Sequence, residues 1–178
     1  CCGYAIICTQ RVFFCGAFCR SSYPVKLSHK CGSLYWERSF DMDKMIYQLI
    51  EETVSSYLHP FQEDYKDQAF DFSIDSYFNG IEVTGYYKNE YKPDETTPFV
   101  LLRLSILHDC KQVHISNIFL PRFMHHRAIG KHMIGNIFGI SKQQGYDLFI
   151  VDMVNSFYCR MIGRGALPCI GCDDAVQI

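Results

Sequence analysis

The sequence predicts an α/β fold (α+β in some schemes), a mostly antiparallel, twisted sheet with helices covering both faces. Three observations carry that expectation. Residues 113–166 read as strand, small basic loop, helix, strand, helix. Residues 69–107 are rich in β-formers around an Asn79-Gly80 turn. Ahead of them, Met42, Met45, Ile46, Leu49, Ile50, Val54 and Leu58 recur at the helical period.

Each element follows from its residues. Residues 33–38 have the aromatic make-up of a strand, Asp41 can cap the helix after it, and Pro60 is expected to stop that helix. Residues 61–68 are polar and aromatic, fit for a short helix or a loop. Phe70, Phe72 and Ile74 alternate with polar residues as a half-buried strand does. Residues 89–98 form a charged loop with two prolines, and residues 99–107 are a strand. The apolar, β-branched run 113–120 is another strand, closed by Pro121, which cannot extend a ladder. Met133, Ile134, Ile137 and Phe138 lie on one face of a helix that Gly145 ends. Residues 147–154 form a near-continuous apolar strand, residues 155–163 a short helix, and the tail after Ala166 one or two short strands.

Composition bounds the function. A chain of 178 residues with 48% hydrophobic content is one domain's worth and can bury a sizeable core. A net charge of −2 offers no basic face for nucleic acid. No apolar run is long enough to span a bilayer. Residues 1–32 are read as an extension of uncertain structure, without the basic leader of a signal peptide, and residues 33–178 as the folded domain. Ten cysteines scattered among core-like residues fit reduced thiols and a cytoplasmic location better than a disulfide framework. Cys15, Cys19, His29 and Cys31, with Cys169 and Cys172 far along the chain, are soft ligands. Buried cysteine is commonplace and inert, however, and no metal is expected. His125, His126 and His132 match no zinc spacing and are read as loop and solvent-face residues.

The loop between strand and helix concentrates the chemistry. A strand running into a small-residue, basic turn and then a helix aims free backbone N–H groups and the positive end of a helix dipole at one spot, which suits phosphate. A plain strand-to-helix turn with solvated basic residues is the competing account.

These residues resemble the acyl-CoA-binding core of the GNAT N-acetyltransferase superfamily. That family's loop reads Gln/Arg-x-x-Gly-x-Gly/Ala, and His125-His126-Arg127-Ala128-Ile129-Gly130 takes its place here, continuing into Lys131. His125 replaces Gln or Arg, and Ala128 replaces Gly. The family's second mark, an Asn followed shortly by a Phe-Tyr pair and a basic-Met/Leu-Gly segment, is resembled by Asn155-Ser156-Phe157-Tyr158-Cys159-Arg160-Met161-Ile162-Gly163.

The resemblance implies a GNAT-like twisted mixed sheet, splayed between strands 113–120 and 147–154, and transfer of acetyl from acetyl-CoA to an amine by direct attack in a ternary complex. Acetyl-CoA is the co-substrate and an amine, small molecule or peptide, the acceptor; a homodimer is compatible with the pattern. The backbone at Arg127, Ala128, Ile129, Gly130 and Lys131 is expected to hold the diphosphate, with charge from Arg127 and Lys131 and with His125 and His126 alongside. The backbone of Ile118 and Leu120 would pair with the pantetheine arm, and Asn155 would hydrogen-bond it, unless Asn155 is simply a helix N-cap. Tyr158 is the expected acid for the leaving thiolate, since a phenol matches a thiol in proton affinity. Its alternative role is a packed core tyrosine. No carboxylate sits on residues 113–120, which leaves His114 and Asp152 as candidate bases. The rival expectation is a non-catalytic acyl-CoA-binding or protein-interaction module on the same fold.

Overall fold

The computed structural model describes residues 33–89 and 95–178, with residues 33–44 described by backbone alone. The expected extension at 1–32 and its cysteines lie outside the described residues. The element order is α1 (Ser33–Asp64), β1 (Asp71–Tyr77), β2 (Gly80–Lys88), β3 (Thr96–Leu107), β4 (Gln112–Ile118), α2 (Ile129–Gln143), β5 (Asp147–Ile150), α3 (Asn155–Ile162), β6 (Leu167–Pro168) and β7 (Val176–Gln177). The fold is mixed α/β, with a mostly antiparallel sheet and three α-helices among the described residues.

The strands run in the order β1-β2-β3-β4-β5-β7-β6. Every neighbouring pair is antiparallel except β4 and β5. That parallel pair needs a crossover, and α2 supplies it. The Asn79-Gly80 turn joins β1 to β2 as expected, with Tyr77 opposite Gly80.

Alternation puts Ile81, Val83, Leu102, Leu104, Ile106, Val113, Ile115, Leu148 and Ile150 on one face, each at most 3% exposed. Against them α1 buries Ile46, Ile50, Val54 and Leu58, spaced by four, and α2 buries Ile129, Met133 and Ile137. The two helices also pack on each other. The opposite face of the central strands, where covering helices are expected from the sequence, is instead half-exposed and polar, with Glu82 and Arg103 paired at 2.6 Å beside Ser105 and His114.

Several elements depart from expectation. Residues 33–38 are the first turns of α1 rather than a strand, so Asp41 is an interior helical residue and not a cap. Aromatic β-propensity is a weak prior, and a helix nucleated on the downstream stripe extends by one hydrogen bond per residue fixed. Pro60 does not stop α1, which continues to Asp64. An interior proline costs about 3 kcal/mol. Leu58 at 0% exposure and the ring contacts of Phe61 with Tyr57 (5.5 Å) and Tyr65 (6.0 Å) offset it. The strand expected over 147–154 ends at Ile150, because Asp152 turns the chain with φ +56°. β3 starts at Thr96, ahead of the expected residue 99.

One irregularity positions the site. Leu104 lies opposite Ile115 but Arg103 lies opposite Asn117, so Ser116 is an extra residue, a β-bulge in β4.

Candidate functional site: an amide corner where two strands part

β4 and β5 are paired only from Gln112–Asp147 to Ile115–Ile150. The bond from Val151 N–H to the Ile115 carbonyl, 2.9 Å, continues that contact by one residue. Past it, β4 runs on through Ser116, Asn117 and Ile118 with no strand beside it on that edge among the described residues. The pairing stops where β5 itself ends, which leaves the far end of β4 with an open edge.

The bulge decides which backbone groups face that edge. Phe119 N–H donates to the Leu101 carbonyl at 2.9 Å, so the backbone of Phe119 faces β3. Backbone groups alternate sides along a strand, and those of Ile118 accordingly face the open edge. Leu120, expected to do the same, has its carbonyl occupied by the His125 ring, whose Nε2–H donates to it at 2.9 Å. Of the two residues expected to offer free backbone, the geometry favours Ile118.

After Pro121 and a 3-10 turn at Arg122–Met124, the chain enters α2 through a loop with two left-handed residues, His126 at φ +64° and Ala128 at φ +56°. Ala128 is the N-cap of α2 and has no side chain to cap with. The first backbone bond of the helix runs from His132 N–H to the Ala128 carbonyl, 3.0 Å. Ile129, Gly130 and Lys131 therefore present N–H groups that the helix itself does not use, and the first turn contains no acidic residue to satisfy them. Three such amides at the positive end of a helix dipole form a donor cluster of the kind that can bind phosphate oxygens. A Cβ on Gly130 would lie 3.6 Å from Ile118 and 3.7 Å from Leu120, ordinary contacts, so protein neighbours do not require glycine there.

Ala128 holds a strained conformation at φ +56°. The left-handed region costs a non-glycine residue about 1–2 kcal/mol, and a glycine would avoid that strain. Ala128→Gly should stabilise the fold by roughly 0.5–1 kcal/mol once glycine's greater unfolded freedom is subtracted. A thermal melt should show a rise of about 1–4 °C. A fall would mean that the alanine methyl makes a contact outweighing the strain.

The charges near the corner are differently arranged from expectation. Arg127 does not add a free cation: its guanidinium donates to Asp64 at 2.8 Å and lies over the Tyr65 ring, 5.2 Å from the centroid. The Tyr65 phenol and then the Asp64 carboxylate push the arginine pKa further up. The Tyr65 hydroxyl is nevertheless enclosed without a hydrogen bond of normal geometry, so the ring stacking and the Asp64 contact are the firmer interactions. His125, His126, Lys131 and His132 are all exposed, and Tyr57 reaches the Ile129 carbonyl and His132 Nδ1, each at 3.4 Å.

On the other side of the open edge the chain passes from β5 through exposed Asp152 into α3. Val154 is the N-cap of α3, not Asn155. Asn155 is exposed, and its Oδ1 accepts from the Cys159 thiol at 3.5 Å. Tyr158, half-buried, packs its ring against the core.

His114 sits apart from all of these. It lies four residues before Ile118, but with Ser116 bulged out that is three steps of the ladder, about 10 Å at ~3.3 Å per step. Its ring contacts Phe149 at 5.2 Å and its Nε2 meets Gln112 Oε1 at 3.0 Å. Burial lowers its pKa, which keeps it neutral at pH 7. Asp152 is the candidate base that borders the open edge.

Sequence reading missed Asp64, Tyr65 and Tyr57 as neighbours of the loop, and no local signal links them to it. Two surface hollows, of about 450 Å³ against β1 and about 480 Å³ towards α2, run along α1, and neither is lined by residues 118–131. Among the described residues no group of three His, Cys, Asp or Glu side chains is placed to hold a metal, and no helix is long and apolar enough to cross a membrane. No protein-family model matches the chain, and no curated protein matches it significantly.

Proposed function

We propose that this protein is a cytoplasmic N-acetyltransferase, transferring acetyl from acetyl-CoA to an amine by direct attack in a ternary complex. The observation that carries this reading is the trio of unused amides at Ile129, Gly130 and Lys131 beside the outward-facing backbone of Ile118. The donor set fits the ligand: the amides suit a diphosphate, and a strand's unpaired backbone suits an arm that itself contains amides.

In this reading the amine attacks the thioester carbonyl, a C–N bond forms, and the tetrahedral adduct expels the thiolate as the C–S bond breaks. Tyr158 gives its phenolic proton to that sulfur. The amine's proton leaves to Asp152 or to water. Holding donor and acceptor together supplies much of the acceleration, so a weak base suffices.

The absence of a carboxylate from β4 and the distance of His114 from the corner favour a second reading, an acyl-CoA-binding or protein-interaction module on the same fold. Thermal shift with acetyl-CoA tests the part both ligand readings share. At a hundredfold excess over Kd a ligand of the folded state adds about 2.7 kcal/mol, a rise of roughly 5–10 °C for a chain of this size. Thiol release across a panel of amines then separates enzyme from binding module. No shift with acetyl-CoA and none with CoA would sink the ligand reading in both forms.

A further inference from the structure

Arg127 is held between two left-handed residues, and its guanidinium is engaged by Asp64 and the Tyr65 ring. Its partners sit at the end of α1, where the last turn contains no basic residue of its own. The carbonyl end of a helix is the negative end of its dipole, so a guanidinium delivered from elsewhere is favoured there. Asp64, the last residue of α1, receives the guanidinium at 2.8 Å. Tyr65 provides a floor under it that cannot easily shift. Its ring is wedged against Phe123 (5.1 Å), Phe61 (6.0 Å) and Phe70 (6.3 Å). Two more tethers bracket the same loop, His125 on the Leu120 carbonyl at 2.9 Å and Tyr57 on the Ile129 carbonyl at 3.4 Å.

We infer that Asp64, acting through Arg127, is a positioning residue for the anion-binding amides of Ile129 to Lys131, with the Tyr65 ring as its platform. This rests on the reading of that corner as the acyl-CoA site. The loop's strained conformation at His126 and Ala128 needs an external hold, and the residue between them is clasped to α1. Arg127 is thereby a brace for the loop rather than a ligand of the diphosphate, which the amides receive.

A double-mutant cycle in the full chain tests this, using Arg127→Ala, Asp64→Asn and the pair together, with the charge swap Asp64→Arg/Arg127→Asp as rescue. Two readouts are taken. The first is amide exchange of His132 in ligand-free protein, because its N–H closes the loop onto the Ala128 carbonyl. The second is the dissociation constant of CoA. Each single variant should speed His132 exchange about two- to fivefold, the range for a half-exposed ion pair, while core amides of β3 stay unchanged. Each should weaken CoA by a similar factor, the double variant no more than either single, and the swap should restore part of both.

Arg127→Ala weakening CoA while Asp64→Asn leaves it unchanged or tighter would overturn the inference, since a direct phosphate ligand behaves that way. Unchanged His132 exchange in both singles would overturn it too. Should the wild-type chain bind no CoA, the acyl-CoA reading fails on its own, and the exchange arm still decides whether the clasp sets the loop.

Discussion

Tyr158→Phe is expected to cut acetyl transfer by about a hundredfold or more while leaving CoA affinity within about twofold. General acid catalysis contributes roughly 10²–10⁴ to rate, and the substitution removes only the proton donor. The ring remains to fill its half-buried place against the core, so binding and fold should be retained. Single-turnover thiol release, with CoA titration alongside, reads both quantities. Three outcomes separate the accounts. Loss of turnover with intact affinity supports a phenol acting on the leaving sulfur. Turnover equal to wild type removes Tyr158 from the chemistry. Loss of affinity together with turnover assigns it to packing.

Leu104→Ala should be the most damaging of the simple truncations for stability. Leu104 is 0% exposed, lies opposite Ile81 on one side and Ile115 on the other, and sits in the middle of the buried sheet face. Its removal leaves a cavity between strands that are held by ladder bonds on both edges and cannot close in. Leucine-to-alanine changes at such sites cost about 2–5 kcal/mol, or roughly 5–15 °C in Tm for a chain of this size. Urea melts of the variant should show a lower midpoint at unchanged slope. A loss under about 1 kcal/mol would mean that α1 settles into the space and that the sheet face is less tightly packed than its burial implies.

What could be read from the sequence, and what could not, divides by the range of the interactions. Local periodicity was legible: the α2 face of Met133 and Ile137, the α1 stripe from Ile46 to Leu58, and the Asn79-Gly80 turn all stand where expected. The loop was legible as a corner with donors because three consecutive residues opening a helix leave their amides free whatever the rest of the chain does. Its charges were not. The partner of Arg127 is 63 residues away, and no pattern within the loop distinguishes a cation kept for a ligand from one taken by another helix. Pro60 misled for a different reason: its penalty is offset by the burial of Leu58 against the sheet and by ring contacts of Phe61 with residues four before and four after it. The shortness of β5 turned on a single left-handed residue, Asp152, and an aspartate in an apolar run does not announce that conformation.

His114 stands on the paired part of β4, away from the amide corner, a placement that residue type could not foresee. It has the right chemistry and stands on the expected strand, but two units of register separate it from the part of that strand which lacks a neighbour. Position along a strand, not membership of it, decides what a side chain can reach.

Ser116 carries a consequence for how the gene can vary in length. Side chains and backbone groups on a strand have a parity of two, and the extra residue inverts that parity for everything after it. Ile115 and Ile118, an odd step apart, are thereby both directed toward the core. Deleting one codon at Ser116 would close the bulge and leave an even step between Ile115 and Ile118, so both would still face the core opposite Leu104 and Leu102. A one-residue insertion that no bulge absorbs would instead turn every later side chain of the strand to the opposite face.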